Sequence, residues 1–349
     1  VCPDCKRPVQ KAGGEENWFF KLSEFGDKLL AFYEENPDFI RPETRKNEIV
    51  SFVKSGLKDL SISRSTFDWG VPLPFDEGHV AYVWADALLA YLTGIGYGDE
   101  GERAGEFDAR WPMQYHFVGK DITRFHCVIW PAMLMAAGLP ITHTVFGHGF
   151  LLTKGEKMSK SKGNALKPMV QVYNADLANT WGNLCSRVFN MTKKYFDGQV
   201  PEVPAEVLAN ENPLRAITEE LYAEYDAALG AVDFTAAAAA VQKLAGRVNL
   251  YVEESAPWNL AKSEETAGEL AEVIYNALEA IRIIALYMAP FMPNTSAEVF
   301  RRLSLGDIAA VDDIEAATAW GQLPAGNPVE IGDPLFPRLD MDAIDLSME

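Results

Sequence analysis

Apolar residues follow two different patterns along this chain. Up to about residue 168 they form short runs separated by Gly and Pro turns. Beyond about residue 172 they recur almost entirely at helical spacing. In the first part, YHFVG (115–119) is a short apolar run ending at a glycine, which predicts a strand. Ile122, Phe125, His126, Ile129 and Met133 then share one face of a predicted helix. Asp121 stands where it would cap that helix over 122–137, Pro131 where it would kink it, and Gly138 and Pro140 where they would stop it. A second strand is expected in HTVFGHGFLL (143–152). Strand, helix, strand in this order predicts a parallel α/β unit.

In the second part, Val241, Leu244, Val248 and Tyr251 or Val252 keep helical spacing. So do Leu270, Ile274, Ala277, Ile281, Ile284 and Met288. Pro257 and Pro290 lie just past these stripes, where a helix must end or restart. Five consecutive alanines, Ala236 to Ala240, favour a helix in close contact with its neighbours. Residues 171–310 therefore read as an antiparallel helix bundle. The Pro- and Gly-rich stretch from about Leu323 predicts an extended tail laid over another surface, within 311–349.

Composition narrows the class. The chain has 349 residues, room for two domains, with 48% hydrophobic and 23% charged residues, as in a soluble globular protein. No run of 18 apolar residues and no secretory leader is present, so no membrane association is expected. Cys127 and Cys185 sit in apolar helical text, a usage that fits free thiols in a reducing cytoplasm. The chain opens on Val1 rather than Met, which reads as the inside of a longer protein.

A formal charge of −19 argues against nucleic-acid binding on average, but phosphate needs positive charge only locally. From Leu151 to Pro168 five lysines face one acid. Within that stretch lies Lys157-Met158-Ser159-Lys160-Ser161, flanked by Gly155 and Gly163. Such a pentapeptide arises by chance on the order of once in ten thousand chains of this size. Two lysines and two serines on a Gly-flanked loop can close over a triphosphate, and an ammonium better placed in the transition state than in the ground state speeds pyrophosphate departure.

This string resembles the KMSKS signature of the class I aminoacyl-tRNA synthetases, and the surrounding text is similar to the methionyl-tRNA synthetases. The resemblance covers nearly the whole chain, including SISR (61–64), HVAYVW (79–84), NADLAN (174–179) and LFPRLD (335–340). It implies an α/β Rossmann-like catalytic domain, partial here and ending near residue 170, followed by an all-α anticodon-binding helix bundle. Lys157 and Lys160 would be catalytic. Gly119, Asp121, His148, Gly149, Met158, Ser159 and Ser161 would bind ATP, with Mg²⁺ bridging its phosphates.

Two further strings point to the amino acid. Trp84, Ala87, Leu88 and Tyr91 share one helix face, and Phe125, His126 and Trp130 supply a second aromatic group. By burial tendency alone each is more often a core stripe than a pocket. In the methionyl family similar strings form the methionine pocket, and a soft thioether gains from aromatic neighbours. In the bundle, the resemblance implies that Asn183, Arg187 and Trp258 read the anticodon of tRNA(Met), through stacking and hydrogen bonds to unpaired bases. Cys2 and Cys5 look like one half of a structural zinc knuckle, which wants four ligands; the partner pair would lie upstream of Val1.

The resemblance also has gaps. The family's N-terminal nucleotide-binding segment, with its His-Ile-Gly-His-type signature, is absent. Only a few residues separate KGNALKPMV from NADLAN, where the family carries some tens. The expected activity is activation of methionine and its transfer to tRNA(Met). The alternatives are a non-catalytic tRNA-binding piece, or another class I synthetase such as the cysteinyl enzyme.

Overall fold

A computed structural model describes residues 8, 14–153, 155–158, 166–210 and 212–340 of the chain. Two compact units emerge, divided between Lys157 and Met158.

The first unit is built on a parallel three-stranded sheet. Thr144–His148 is the central strand, with Ile40–Arg41 on one side and Tyr115–Gly119 on the other. Tyr115 pairs with Thr144 and Gly119 with His148, so the two strands end level. The expected α/β crossover is present between them. The second strand is shorter than HTVFGHGFLL: it ends at His148, and Leu152–Thr153 turns back instead on Glu156–Lys157 as a small antiparallel hairpin. Gly155, at φ +80°, makes that turn in a conformation other residues resist.

The crossover helix differs from expectation in an instructive way. It opens with a single 3₁₀ turn at Lys120–Ile122, widens to a π-helix over Phe125–Ile129, and becomes α-helical only at Trp130–Ala137. Pro131 has no amide to offer the carbonyl of Cys127 one turn back. The Tyr33 hydroxyl donates to that carbonyl instead, at 2.6 Å. The proline thus coincides with a widened turn whose freed carbonyl has a new partner. Asp121 caps nothing: none of the three segments shows a side-chain cap, and its carboxylate pairs with Lys120 at 3.4 Å in solvent. Gly138 closes the helix in the left-handed conformation, as expected.

A second, antiparallel sheet in this unit has Asp76–Ala81 at its centre. The helix Val83–Thr93 follows it directly and buries Leu88 and Leu92 against Leu29, Tyr33, Val128, Trp130 and Val145.

The second unit is helical. Phe234–Ser255 packs against Pro213–Gly230 and Ala267–Met288. Caps fall where short polar residues stand: Asn212 accepts from the amides of Leu214 and Arg215, and Asp233 from that of Ala236. Ala237 and Ala240, from the alanine run, are buried where helices approach closely. Nearly every residue of Ala267–Met288 from Leu270 onward is buried, which marks the central helix. Residues 311–340 lie on this unit: Leu323, Val329 and Phe336 join its core, and Arg302 donates to the carbonyls of Ile331 and Asp333. Among the described residues no helix is long and apolar enough to cross a membrane.

Candidate functional site

The ends of two parallel strands gather the first group of candidates. Gly119-Lys120-Asp121 leaves one strand and His148-Gly149-Phe150 leaves its neighbour, at paired positions. The carboxyl end of a parallel sheet is where open α/β folds hold ligands, because loops diverge there and leave a crevice. Gly147 permits a close approach below it: a Cβ there would come within 2.6 Å of the Thr123 methyl. The Lys120–Thr123 turn therefore rests directly on the strand. His148 Nδ1 donates to the carbonyl of Gly149 at 2.7 Å.

Lys157 belongs to the same unit. Its ammonium sits over the Phe150 ring, 4.0 Å from the centroid, and Lys120 reaches the same ring at 4.3 Å. Met158 is half-buried. Ser159, Lys160 and Ser161 lie outside the described residues, as do Cys2 and Cys5. Phe150 did not stand out in the sequence. The usable signal was an apolar ring directly after His148-Gly149.

An aromatic cluster follows from the two helices. Trp84 stacks on Phe125 with centroids 3.8 Å apart and planes 23° apart. Tyr91 and His126 are hydrogen-bonded at 2.7 Å. His126 Nδ1 faces the carbonyl of Ile122 at 2.9 Å, so it carries the proton; Nε2 then accepts from the Tyr91 hydroxyl. Trp130 is fully buried, 6.1 Å from the Tyr91 ring. Leu88 is also core, whereas Ala87 is exposed. The proposed pocket residues thus divide: Trp84 with Phe125 and Tyr91 with His126 form two pairs at the core's edge, and Leu88 and Trp130 are buried in the core.

His116 is a member of this cluster that the sequence reading missed. It points inward from the strand Tyr115–Gly119, with its ring 4.4 Å from Tyr91 and 5.8 Å from His126. Burial, reinforced by His126, pulls its pKa down to about 4, and burial lowers that of His126 as well. Both rings are therefore neutral at pH 7. His116 Nε2 and Trp130 Nε1 are buried without a partner among the described residues. Two unmatched polar atoms around one tyrosine are unusual in a pure core and suit a site that receives a polar group.

A pH effect follows. The folded-state pKa of His116 lies below the unfolded value of 6.5, so its contribution to stability is complete above pH 6.5 and is lost as pH falls towards 4. The full contribution is roughly 3 kcal/mol. Urea denaturation at pH 7 and pH 5 is expected to show a marked loss for the unmodified chain and a smaller one for His116→Phe. Equal pH slopes for the two would rule this out.

The helical unit carries the third group. Asn183 and Arg187 lie one turn apart on Asn183–Tyr195. Asn183 is exposed, and Arg187 pairs with Glu253 at 3.3 Å. Trp258 is 43% exposed on the short helix Pro257–Leu260, which begins where Ala256 adopts φ 43°. A groove of about 420 Å³ runs beside Asn183, lined also by Asn179, Ser186, Phe336 and Arg338. Among the described residues no group of three His, Cys, Asp or Glu side chains is placed to hold a metal.

Known proteins resemble the chain over most of its length. The family described as class I tRNA synthetases (M) matches residues 3–169, and the anticodon binding domain of methionyl tRNA ligase matches residues 200–346. Among curated relatives, the methionine–tRNA ligase of Caldanaerobacter subterraneus is 42% identical over 385 aligned positions, covering 100% of this chain and 58% of the relative. That of Streptomyces coelicolor is 43% identical, covering 97% and 69%. The chain is thus little more than half as long as the first of these. The first match runs over more positions than the chain has residues, so that relative carries extra sequence inside the matched span. Among solved structures, a methionyl-tRNA synthetase of Mycobacterium tuberculosis bound by methionyl-adenylate superposes with a TM-score of 0.80 at 37% identity, covering 92% of this chain and 68% of that one.

Proposed function

The chain belongs to the class I methionyl-tRNA synthetases, and from that membership we propose that it serves ATP-dependent activation of methionine and transfer of the methionyl group to tRNA(Met). The observation that carries this reading is the convergence of Lys120, Asp121, His148 and Lys157 at the carboxyl end of the parallel sheet, in the same unit as the Tyr91–His126 pair.

The proposed chemistry follows from what these groups can do. The methionine side chain lies against Trp84 and Phe125, where aromatic faces favour a thioether. Neutral His126 takes the Tyr91 hydroxyl proton and so orients that hydroxyl, whose oxygen accepts a hydrogen bond from the substrate's ammonium group. The methionine carboxylate attacks the α-phosphate of ATP, which brings its own Mg²⁺, and pyrophosphate leaves. Gly119, Asp121, His148, Gly149 and Met158 border the nucleotide, and Lys157 with Lys160 meets the charge that builds on the leaving group. Ser159 and Ser161 add hydroxyl donors. No covalent bond to the protein is required, so catalysis rests on positioning and charge. The residues described offer no ligand set for zinc, and no step uses it.

In this reading residues 1–170 serve activation and 171–310 the anticodon, with 311–349 as a tail whose described part, 311–340, lies on the helices; the protein works in the cytoplasm. Titration calorimetry with methionine and a non-hydrolysable methionyl-adenylate analogue tests it. Binding of both supports activation. A second reading, an RNA-binding piece without activation, predicts tRNA binding and no uptake of either small ligand. Charging assays across amino acids separate the methionyl from the cysteinyl assignment.

Anticodon reading by Asn183, Arg187 and Trp258 makes its own prediction. Stacking of a base on an aromatic ring contributes about 1–3 kcal/mol. Trp258→Ala is expected to weaken tRNA(Met) binding by roughly ten- to a hundredfold while leaving methionine binding alone. Filter binding with tRNA(Met) and with an anticodon-altered tRNA checks this; an unchanged affinity would count against Trp258.

A further inference from the structure

Two cations share the ring of Phe150. Lys120 comes from the turn after one parallel strand, and Lys157 from the small hairpin that follows the other. Both ammonium groups settle on the one ring, at 4.3 and 4.0 Å from its centroid. They therefore lie no more than about 8 Å apart. The ring itself is 37% exposed, at the strand end bordering the proposed nucleotide site.

An aromatic face is a distinctive holder for an ammonium group. A carboxylate in the same place would cancel the positive charge and compete with an incoming phosphate. A ring attracts the cation through its quadrupole, weakly, and leaves its net charge in place. Lys120 keeps an exposed, well-screened pair with Asp121 at 3.4 Å. The ring also links two segments that are far apart in sequence: the turn at Lys120 and the hairpin leading into the lysine-rich loop. With the ring in place both ammonium groups are drawn to one spot before any anion arrives, so less ordering is needed when it does.

We propose that Phe150 is a positioning residue, whose ring holds Lys120 and Lys157 together as a two-ammonium receptor for the polyphosphate of the nucleotide. Phe150 does not touch the reacting atoms; it acts through the two lysines. The assignment rests on the proposed activation of methionine by ATP only for its catalytic consequence, since polyphosphate binding is a separate observable.

The test combines two readouts on the full chain. In titration calorimetry with inorganic tripolyphosphate, Phe150→Leu is expected to weaken binding about tenfold, and Phe150→Trp to keep it near the unmodified value. In ATP–pyrophosphate exchange, Phe150→Leu is expected to raise KM for ATP with the methionine dissociation constant unchanged. A purely structural role would instead weaken methionine binding as well. Stepwise fluorination of the Phe150 ring keeps its shape while draining its negative face, so affinity for tripolyphosphate should fall with each fluorine. A flat fluorination series, or equal losses in the leucine and tryptophan variants, overturns the proposal. If the unmodified chain shows no exchange, the activation reading fails, and the tripolyphosphate titration still decides the role of Phe150.

Discussion

Replacing Glu279 by alanine is expected to destabilise the helical unit by about 3–5 kcal/mol, the range for removing one partner of a buried ion pair. Glu279 is fully buried in the middle of the central helix. Its two carboxylate oxygens accept from the backbone amides of Gly321, Gln322 and Leu323, at 2.7 to 3.1 Å. They also accept from Arg282, at 2.7 and 2.9 Å, and Arg282 in turn donates to the carbonyls of Ala317 and Ala319. One ion pair thus satisfies five backbone groups of the segment that crosses over the helix. Without Glu279, three amides lose their acceptor and a buried guanidinium loses its counter-charge, which accounts for the size of the loss. Urea denaturation of Glu279→Ala measures it. Pairing it with Arg282→Met is expected to recover part of the loss, because the stranded charge is then gone. A single variant within about 1 kcal/mol of the unmodified protein would refute the account.

The second large effect is expected at Lys157. On the proposed chemistry, Lys157→Ala lowers the rate of methionyl-adenylate formation by about 10²–10³, the usual result of removing one preorganised charge from a developing anion. Methionine affinity should not change, since the ammonium group is held on Phe150 and not in the Trp84–Phe125 stack. Single-turnover formation of the adenylate, with methionine binding measured separately, checks both halves. A normal rate would remove Lys157 from the mechanism. Equal losses in rate and methionine affinity would point to disturbed folding.

Several of these features were legible in the residues alone, and the reason is local. Strand Tyr115–Gly119 and the end of the crossover helix at Gly138 follow from apolar runs and from the backbone freedom of glycine, neither of which needs a distant partner. Helical spacing marked Leu270, Ile274, Ala277, Ile281 and Ile284, all of which are buried in the central helix. The pentapeptide at Lys157 was visible because its chemistry is written in consecutive positions.

What the tertiary structure decided lies at longer range. Glu279 and Arg282 stand in an apolar helix as apparent exceptions, and only the crossing segment some forty residues later explains them. Pro131 promised a kink; the chain widens there instead, and the freed carbonyl finds its donor in Tyr33, nearly a hundred residues upstream. Asp121 had the residue type of a cap, but the crossover helix starts irregularly and gives it no amides to accept from. His116 was one inward residue of a short strand until Tyr91 and His126 arrived beside it from two helices. Phe150 gained its two cations only when separate turns met at one sheet end. Periodicity and backbone preference act over a few residues and are carried by the sequence itself. Hydrogen-bond partners, desolvation and charge clustering depend on which distant segments come together, and that is settled only when the chain has folded.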